Sequence, residues 1–255
     1  MGELSERLWR ARASGSIVEI DDIVEPVDMA AAYDVQAEIV AQSGYEVVGF
    51  KVGSTSAEAQ RFLGTDEPSA GSLLAPYVMS SPAEFAVAGA QMPAIEGEFA
   101  FQLRKDLPAS GAPYSYETVL EAIGGVAGAI EVVGTRIAGG LAGKGRFLLT
   151  ADGGANIALV VGDWHELRPH MDLKTHDVTV VVNGAQAGHG QGAEALGDPL
   201  NVMVWLANQQ ATTGRGLRAG DIVSTGTCTG LAGVGPGDTA MADFGTLGRV
   251  RIAFS

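Results

Sequence analysis

The sequence predicts an α+β fold, in which a smaller N-terminal α/β region (residues 1–85) precedes a larger, mainly β region (residues 86–255). A length of 255 residues suits one large domain, or a small unit joined to a larger one. Thirty-six glycines, concentrated after Gly111, favour turns and close backbone approaches over a helical bundle. The apolar spacing also changes from α/β before residue 85 to strand-like from Gln91 onward.

Three helices and one strand are predicted in the N-terminal region. Segments 3–14 and 27–43 are expected to be helices, the second ended by Ser43-Gly44. The apolar run 45–52 favours a strand. Segment 56–63 favours a third helix, because Gly64 suits a left-handed C-cap.

The remainder of the chain is predicted to be mainly strands. They are expected over residues 95–103, 127–133, 157–161, 178–183, 222–225, 239–243 and 247–254. Two further helices are expected over residues 117–123 and 200–210. Asn183-Gly184 and the run 235–238 are turn signals between strands.

The composition excludes several classes of protein. The formal net charge is −14 and no basic cluster exceeds two residues, so nucleic acid is not an expected partner. No apolar run approaches the roughly 20 residues that cross a bilayer, so no membrane is expected either. Residues 1–12 lack the layout of a signal peptide. Because Cys228 is the lone cysteine, no internal disulfide forms and a cytoplasmic location is expected.

Segment 95–103 carries two closely spaced acidic residues. Apolar residues hold one parity while Glu96 and Glu98 hold the other, so a strand would place both carboxylates on one face. Gly97 between them would let another backbone approach. An ordinary solvated strand would show the same alternation, and the residues alone leave that explanation open.

Glu131 is a third candidate, because its neighbours in 128–133 are apolar or glycine and indicate a buried strand. A buried carboxylate without a partner is costly. Arg136 is one candidate partner. The alternative is that Glu96, Glu98 and Glu131 converge on a hard divalent cation, which prefers oxygen ligands and leaves positions for water and a chelating substrate.

Three other polar residues lie beside glycine in strand-like runs. Lys51 is either an edge-strand lysine or a buried group that binds a substrate carboxylate or moves protons with a lowered pKa. Asp152 and Thr225 are expected at strand ends, where ordinary turn chemistry is the commoner role.

Other kinds of site have weaker support. His165, His170, His176 and His189 lack the spacing of a zinc site. The glycine-rich run 188–192 is not followed by Gly-Lys-Ser/Thr and is not a phosphate loop. Cys228 has no local histidine arrangement that would indicate a nucleophile.

Five motifs in order carry a resemblance to a known family. They are GFKVGSTS (49–56), IEGE (95–98), IEVVGTR (130–136), LGDPL (196–200) and GDIVSTG (220–226). Together they resemble the fumarylacetoacetate hydrolase superfamily, and within it the 2-keto-4-pentenoate hydratase branch. The match extends from about Tyr45 to the C-terminus and is less clear in the N-terminal helices.

The resemblance implies a mixed β-roll catalytic domain with Mg²⁺ or Mn²⁺ on Glu96, Glu98 and Glu131. It implies that Lys51 lies in the active site and that Thr225 helps to bind the substrate carboxylate. In this branch the carboxylate and 2-oxo oxygens of a pyruvoyl group chelate the cation, which stabilises the negative charge of the enolate. A homo-oligomer is also implied.

The chain departs from the hydratase pattern at several positions. Ser69 stands where an acidic residue is usual, Ala155 where a serine follows an Ala-Asp-Asn-Ala run, and Gln191 where Gly-Arg-Gly is usual. Hydrolase members use a histidine upstream of the paired glutamates, but His165 is the first histidine here. This weighs against C–C hydrolysis.

The leading hypothesis is a divalent-metal-dependent hydratase that converts a 2-hydroxy-2,4-dienoate to a 4-hydroxy-2-oxo acid in aromatic-compound degradation. The candidate catalytic residues are Lys51, Glu98 and Asp152, and the candidate substrate-binding residues are Lys51, Ser69, Arg136 and Thr225. A 4-oxalocrotonate-like decarboxylase and an acylpyruvate hydrolase are the enzyme alternatives. A metal- or ligand-binding protein without catalysis is the alternative from another class.

Overall fold

The computed structural model describes residues 2–19, 23–168 and 171–255. In these residues the helices are α1 Gly2–Ser14, α2 Met29–Ser43, α3 Ala57–Leu63, α4 Tyr116–Ala122, α5 Gly145–Ala151 and α6 Pro199–Thr212. The strands are β1 Val47–Gly53, β2 Ser69–Leu74, β3 Val78–Ser80, β4 Ala83–Phe85, β5 Ala94–Leu103, β6 Ile123–Val133, β7 Asn156–Val161, β8 Asp177–Val182, β9 Ala185–Gln191, β10 Ile222–Ser224, β11 Ala232–Gly233, β12 Thr239–Asp243 and β13 Arg249–Phe254.

The strands form two mixed sheets. The larger sheet has the order β2-β1-β10-β5-β6-β7-β3, with β11 paired to β5. The smaller sheet has the order β4-β13-β12-β8-β9. Within the larger sheet the β1–β10 and β7–β3 pairs are parallel, whereas the β10–β5, β5–β6 and β6–β7 pairs are antiparallel. This confirms the predicted α+β class with a mixed sheet.

The main hydrophobic core includes side chains from both sheets. Phe99 of β5 meets Phe244, which follows β12, with ring centroids 5.6 Å apart. Gly128 of β6 is required here, because a Cβ at this position would lie 2.2 Å from the Phe244 ring. Gly97 was expected to admit another backbone, but it faces side chains, those of Val178, Val180 and Thr229.

The N-terminal helices form a second core with residues of the β region. Leu4 and Leu8 of α1 pack in a cluster that includes Ala32 of α2 and Leu148 of α5. Residues 1–85 also supply three strands to the larger sheet and one to the smaller. The predicted boundary at residue 85 stays a prediction, although the two regions share both sheets.

Local sequence explains the helix ends that position these layers. Asp28 caps α2 by accepting a hydrogen bond from the Ala31 amide, and Gly44 ends this helix in the left-handed conformation. Gly64 ends α3 in the same way, as predicted. None of the described helices is both long and apolar enough to cross a membrane.

Several elements differ from the sequence-based expectations. Helix α5 was not predicted, and Asp152 lies at its C-terminus instead of at a strand end. The seven residues of α5 lie between glycines, which hid their periodicity. Strand β6 begins at Ile123, where α4 was expected to end, and residues 245–247 form a 3₁₀ turn before β13. Strands β2, β3, β4, β9 and β11 were also missed. His170 lies outside the described residues.

Candidate metal centre

Three glutamates from two neighbouring strands converge. Glu96 of β5 lies directly opposite Glu131 of β6, and Glu98 follows Glu96 on the same face of the sheet. One carboxylate oxygen from each side chain lies within 4.8 Å of the other two. Glu98 and Glu131 are fully buried and Glu96 is partly buried. The triad is therefore not the solvated strand face that the residues alone left open.

In two of the carboxylates, only one of the two oxygens accepts hydrogen bonds. Glu98 Oε2 accepts hydrogen bonds from the Ser224 hydroxyl and, at 3.0 Å, from the Gly226 amide. Glu131 Oε1 accepts from Asn156 Nδ2 at 2.8 Å. The other oxygens, Glu98 Oε1 and Glu131 Oε2, are buried and have no hydrogen-bond partner within the described part of the chain. Buried acceptors of this kind suit a hard divalent cation, so the residues fit the metal that the resemblance implies.

The pKa values of the triad also favour a bound divalent cation. Burial, followed by the charge of Glu131, raises the pKa of Glu96 to about 7, with Lys51 opposing the shift. Burial and the charges of Glu131 and Glu96 raise the pKa of Glu98 well above its ordinary value. Like charges this close disfavour joint ionisation, whereas a dication among them favours it.

Lys51 lies beside the triad on β1 and is 4% exposed. Its Nζ donates to the Gly154 carbonyl at 2.8 Å and lies 3.3 Å from Glu131 Oε2. Burial alone would lower the pKa of Lys51, but the charges of Glu131, Glu98 and Glu96 outweigh burial and raise it. Lys51 is thus a buried cation facing the triad, and the protein groups alone do not lower its pKa.

Glycines surround the Lys51 side chain. A Cβ at Gly53, Gly71 or Gly154 would lie within 3.2 Å of a Lys51 side-chain atom. Ser69, at the start of β2, lies two residues before Gly71, which is directly opposite Lys51. Ser69 and Lys51 therefore share one face of the sheet, as the substrate-binding prediction for Ser69 requires.

Arg136 and Asp152 bind each other instead of joining the triad. Arg136 Nε donates to Asp152 Oδ1 at 2.6 Å, and Asp152 Oδ2 accepts from the Arg136 amide at 2.9 Å and the Thr135 hydroxyl at 3.1 Å. Both side chains are buried. The ion-pair partner of Glu131 is thus Lys51, and the alternative pairing with Arg136 is wrong.

Thr225 is fully buried, and its hydroxyl donates to the Phe99 carbonyl at 3.0 Å. Its neighbours Ser224 and Gly226 contact Glu98 instead. Sequence reasoning singled out this motif but not these two residues. Asn156 was missed entirely, because nothing in its spacing marks it as a partner of Glu131.

The competing sites gain no support. Within the described residues, the triad is the one group of three or more His, Cys, Asp or Glu side chains arranged to share an ion. Cys228 is buried, and burial raises the pKa of its thiol, which disfavours the nucleophilic thiolate.

The fold and the triad together define a class of protein in which a mixed β-sheet carries three carboxylate side chains that suit a divalent cation. The C-terminal domain of fumarylacetoacetate hydrolase matches residues 50–254, and the chain belongs to this family.

Individual relatives and solved structures show which members of this family the chain resembles. A 2-keto-4-pentenoate hydratase from Burkholderia vietnamiensis is 33% identical over 260 residues, which cover 100% of this chain and 97% of the relative. A TodF product hydratase from Pseudomonas putida is 32% identical over 98% of this chain and 94% of its own length. Among solved structures, 4-oxalocrotonate decarboxylase from Pseudomonas putida G7, complexed with magnesium and adipate, is 27% identical with a TM-score of 0.88, covering 100% of this chain and 97% of that one.

Proposed function

We propose that this protein is a divalent-metal-dependent hydratase that adds water to a 2-hydroxy-2,4-dienoate and yields a 4-hydroxy-2-oxo acid. The convergence of Glu96, Glu98 and Glu131 carries the proposal, because it supplies the oxygen ligands that a hard cation prefers. Full-length similarity to 2-keto-4-pentenoate hydratases supports the choice of reaction.

The metal ligands in this proposal are the three glutamates, and the cation is Mg²⁺ or Mn²⁺. When bound, the cation supplies Lewis acidity toward the carboxylate and 2-oxo oxygens of the substrate. Magnesium in the similar decarboxylase structure supports this choice. Glu98 Oε1 and Glu131 Oε2 would face the cation, the second beside Lys51 Nζ, while Ser224, Gly226 and Asn156 hold the opposite oxygens in place.

Lys51 is proposed to bind the substrate carboxylate and to move a proton between the dienol and the product. Its burial beside Glu131 places its ammonium group at the triad. A dication in the triad would repel this ammonium group and lower its pKa toward a range that suits proton transfer. Ser69 on the adjacent strand is proposed to contact the substrate beside Lys51.

The remaining predicted residues take supporting parts in this proposal. Thr225 would order the turn that holds Glu98, because its own hydroxyl is bonded to the Phe99 carbonyl. Asp152 and Arg136 would act as a buried ion pair that shapes the turn carrying Gly154, the acceptor of the Lys51 hydrogen bond.

Decarboxylation of a 4-oxalocrotonate-like 2-oxo diacid is the second candidate, favoured by the structural similarity to 4-oxalocrotonate decarboxylase. A free cation for a second carboxylate would support it, but the buried Arg136 is already paired with Asp152. Arg12 is bonded to the carbonyls of Asn156 and Ile157. The hydratase is the better-supported reaction, because the hydratase relatives are 33% and 32% identical to this chain and the decarboxylase is 27% identical.

The first experiment incubates the metal-stripped protein with 2-hydroxypenta-2,4-dienoate, with and without Mg²⁺ or Mn²⁺. Loss of dienol absorbance is followed, and the product is weighed by mass spectrometry. A metal-dependent gain of one water is the expected result. Release of CO₂ from 4-oxalocrotonate without hydration of the dienoate would replace the hydratase by the decarboxylase. Metal binding without turnover of either compound would support the ligand-binding alternative.

We also propose that the enzyme works in the cytoplasm as a homo-oligomer. One buried cysteine and no disulfide among the described residues suit a reducing compartment. Light scattering measured during size-exclusion chromatography tests the assembly, and a mass of 26.2 kDa, that of one chain, would contradict it.

A further inference from the structure

Asn156, the first residue of β7, connects the metal triad to the N-terminal helix α1. Its side chain is buried, and its Nδ2 donates to Glu131 Oε1 at 2.8 Å. Its Oδ1 lies 3.4 Å from Arg12 Nη2. Its backbone carbonyl accepts from Arg12 Nη1 and Arg136 Nη1, both at 2.7 Å. A continuous set of hydrogen bonds therefore runs from α1 to a predicted metal ligand.

The chemistry of these groups fixes the orientation of the Asn156 amide. A guanidinium only donates hydrogen bonds and a carboxylate only accepts them. The amide oxygen must therefore face Arg12, and the amide NH₂ must face Glu131. A flipped amide would oppose donor to donor on one side and acceptor to acceptor on the other.

Arg12 is itself held firmly against the sheet. Its guanidinium lies 4.3 Å from the centre of the Tyr77 ring, and its Nη2 donates to the Ile157 carbonyl at 2.9 Å. Stacking and two backbone acceptors leave this side chain little freedom to release Asn156.

We propose that Asn156 is a positioning residue that holds Glu131 in the geometry of a metal ligand, and that Arg12 acts on the metal centre through Asn156. The hydrogen bond to Oε1 fixes the plane of the carboxylate, so that Oε2, which lies 3.3 Å from Lys51 Nζ, would face the cation. Helix α1 thus contributes to metal affinity without touching the metal. The inference rests on the proposed metal site.

The test measures Mg²⁺ affinity by titration calorimetry for the wild-type protein and for Asn156→Ala. Loss of an outer hydrogen-bond partner typically weakens metal binding about 10- to 100-fold, and a loss in this range is expected. Asn208→Ala is the matched control, because the Asn208 amide also bonds to backbone groups, those of Tyr114 and Val204, but lies in α6. The control should lower the melting temperature and leave Mg²⁺ affinity unchanged.

Arg12→Met tests the outer part of the connection. It keeps an apolar side chain against Tyr77 but removes the donors to Asn156. A smaller loss of Mg²⁺ affinity is expected than for Asn156→Ala. The double variant should bind Mg²⁺ as weakly as Asn156→Ala alone, since Arg12 acts through Asn156.

The outcomes separate this inference from the proposed function. Wild-type protein that binds no Mg²⁺ would overturn the metal site itself. Wild-type binding with unchanged affinity in Asn156→Ala would overturn only the positioning role. Additive losses in the double variant would overturn the action of Arg12 through the Asn156 side chain, because the hydrogen bond from Arg12 to the backbone carbonyl of this residue remains in Asn156→Ala. If Asn156→Ala does not fold, Arg12→Met decides alone, and unchanged affinity in that variant overturns the connection.

Discussion

At the scale of single residues, the proposed metal centre is a cluster of acidic side chains whose negative charge a divalent cation would neutralise. Glu96, Glu98 and Glu131 lie within reach of one ion, and Lys51 supplies one positive charge beside them. Two buried carboxylates, one partly buried carboxylate and one ammonium would leave a net negative site when ionised, which is costly in a low-dielectric interior. The triad would therefore destabilise the metal-free protein and favour the binding of a dication.

Glu98→Gln should abolish most metal binding and turnover. The amide is nearly the same size but carries no charge, so Mg²⁺ affinity should fall by more than about 100-fold, beyond the loss typical of an outer partner. Calorimetry with Mg²⁺ measures it. The surface variant Glu121→Gln, whose side chain is 75% exposed, serves as the control and should bind normally. Intact binding in Glu98→Gln would remove Glu98 from the ligand set.

Lys51→Met should separate chemistry from metal binding. Because Lys51 is proposed to move a proton and not to bind the cation, turnover should fall by about 10²- to 10⁴-fold while Mg²⁺ still binds. Steady-state kinetics and calorimetry on the same preparation measure the two effects, with the exposed Lys105→Met as control. Full activity in Lys51→Met would exclude the proposed role.

The strand alternation placed Glu96 and Glu98 on one face, because period-two geometry is local, and the apolar setting of Glu131 indicated its burial. The convergence of all three was one of the explanations that the residues left open, and the family resemblance favoured it. The partners of these residues were not predictable in the same way. Ser224 and Asn156 reach the glutamates across strand pairings that bring together residues far apart in the chain. Asp152 was expected at a strand end because helix α5, with seven residues, is too short to show a clear helical period.

At the scale of elements, strands β1 and β2 and the turn after α5 closely surround the Lys51 side chain. A Cβ at Gly71 of β2 would lie 2.3 Å from the Gly153 carbonyl oxygen, which belongs to the backbone of that turn. The turn would have to move away, and it carries Gly154, the acceptor for Lys51.

Gly71→Ala should therefore destabilise the protein and disturb its activity together. Overpacking of this kind typically costs about 1–3 kcal/mol in the free energy of unfolding, which urea denaturation measures. Gly233→Ala in β11 is the matched control, because a Cβ there would meet nothing within 4 Å. A Gly71→Ala protein with wild-type stability would show that the turn relaxes freely.

The longer, strongly patterned elements were predictable, and the short or polar ones were not. Strand β5 and helices α1, α2 and α6 have apolar periodicity that single-sequence reasoning detects. Strand β9, with the sequence AQAGHGQ, is mostly exposed and has no apolar face. Its formation therefore depends on pairing with β8 and not on a pattern in its own residues.

At the scale of the whole molecule, the raised pKa values make stability depend on pH and metal together. Glu96 titrates near 7 in the folded protein, above its ordinary value of 4.5, so the folded state holds a proton that the unfolded state releases over this interval. Stability from this group is present at low pH and is lost as pH rises through about 7.

In EDTA, the melting temperature should accordingly fall as pH is raised from 6 to 8. Saturating Mg²⁺ should raise the melting temperature most at pH 8, where Glu96 has lost its proton and favours the cation. Differential scanning calorimetry across this range measures both effects. A melting temperature in EDTA that rises over the same range would contradict the raised pKa values.

The order of strands around the triad also has a consequence for how the molecule folds. The proposed ligands come from β5 and β6, but the groups that contact them come from β1, β7 and β10, and β10 lies between β1 and β5. Such non-local pairings form slowly, so a competent site exists only once the chain has closed its larger sheet. Mg²⁺ should therefore slow the unfolding rate and leave the refolding rate unchanged, because the cation binds only to molecules that have already folded.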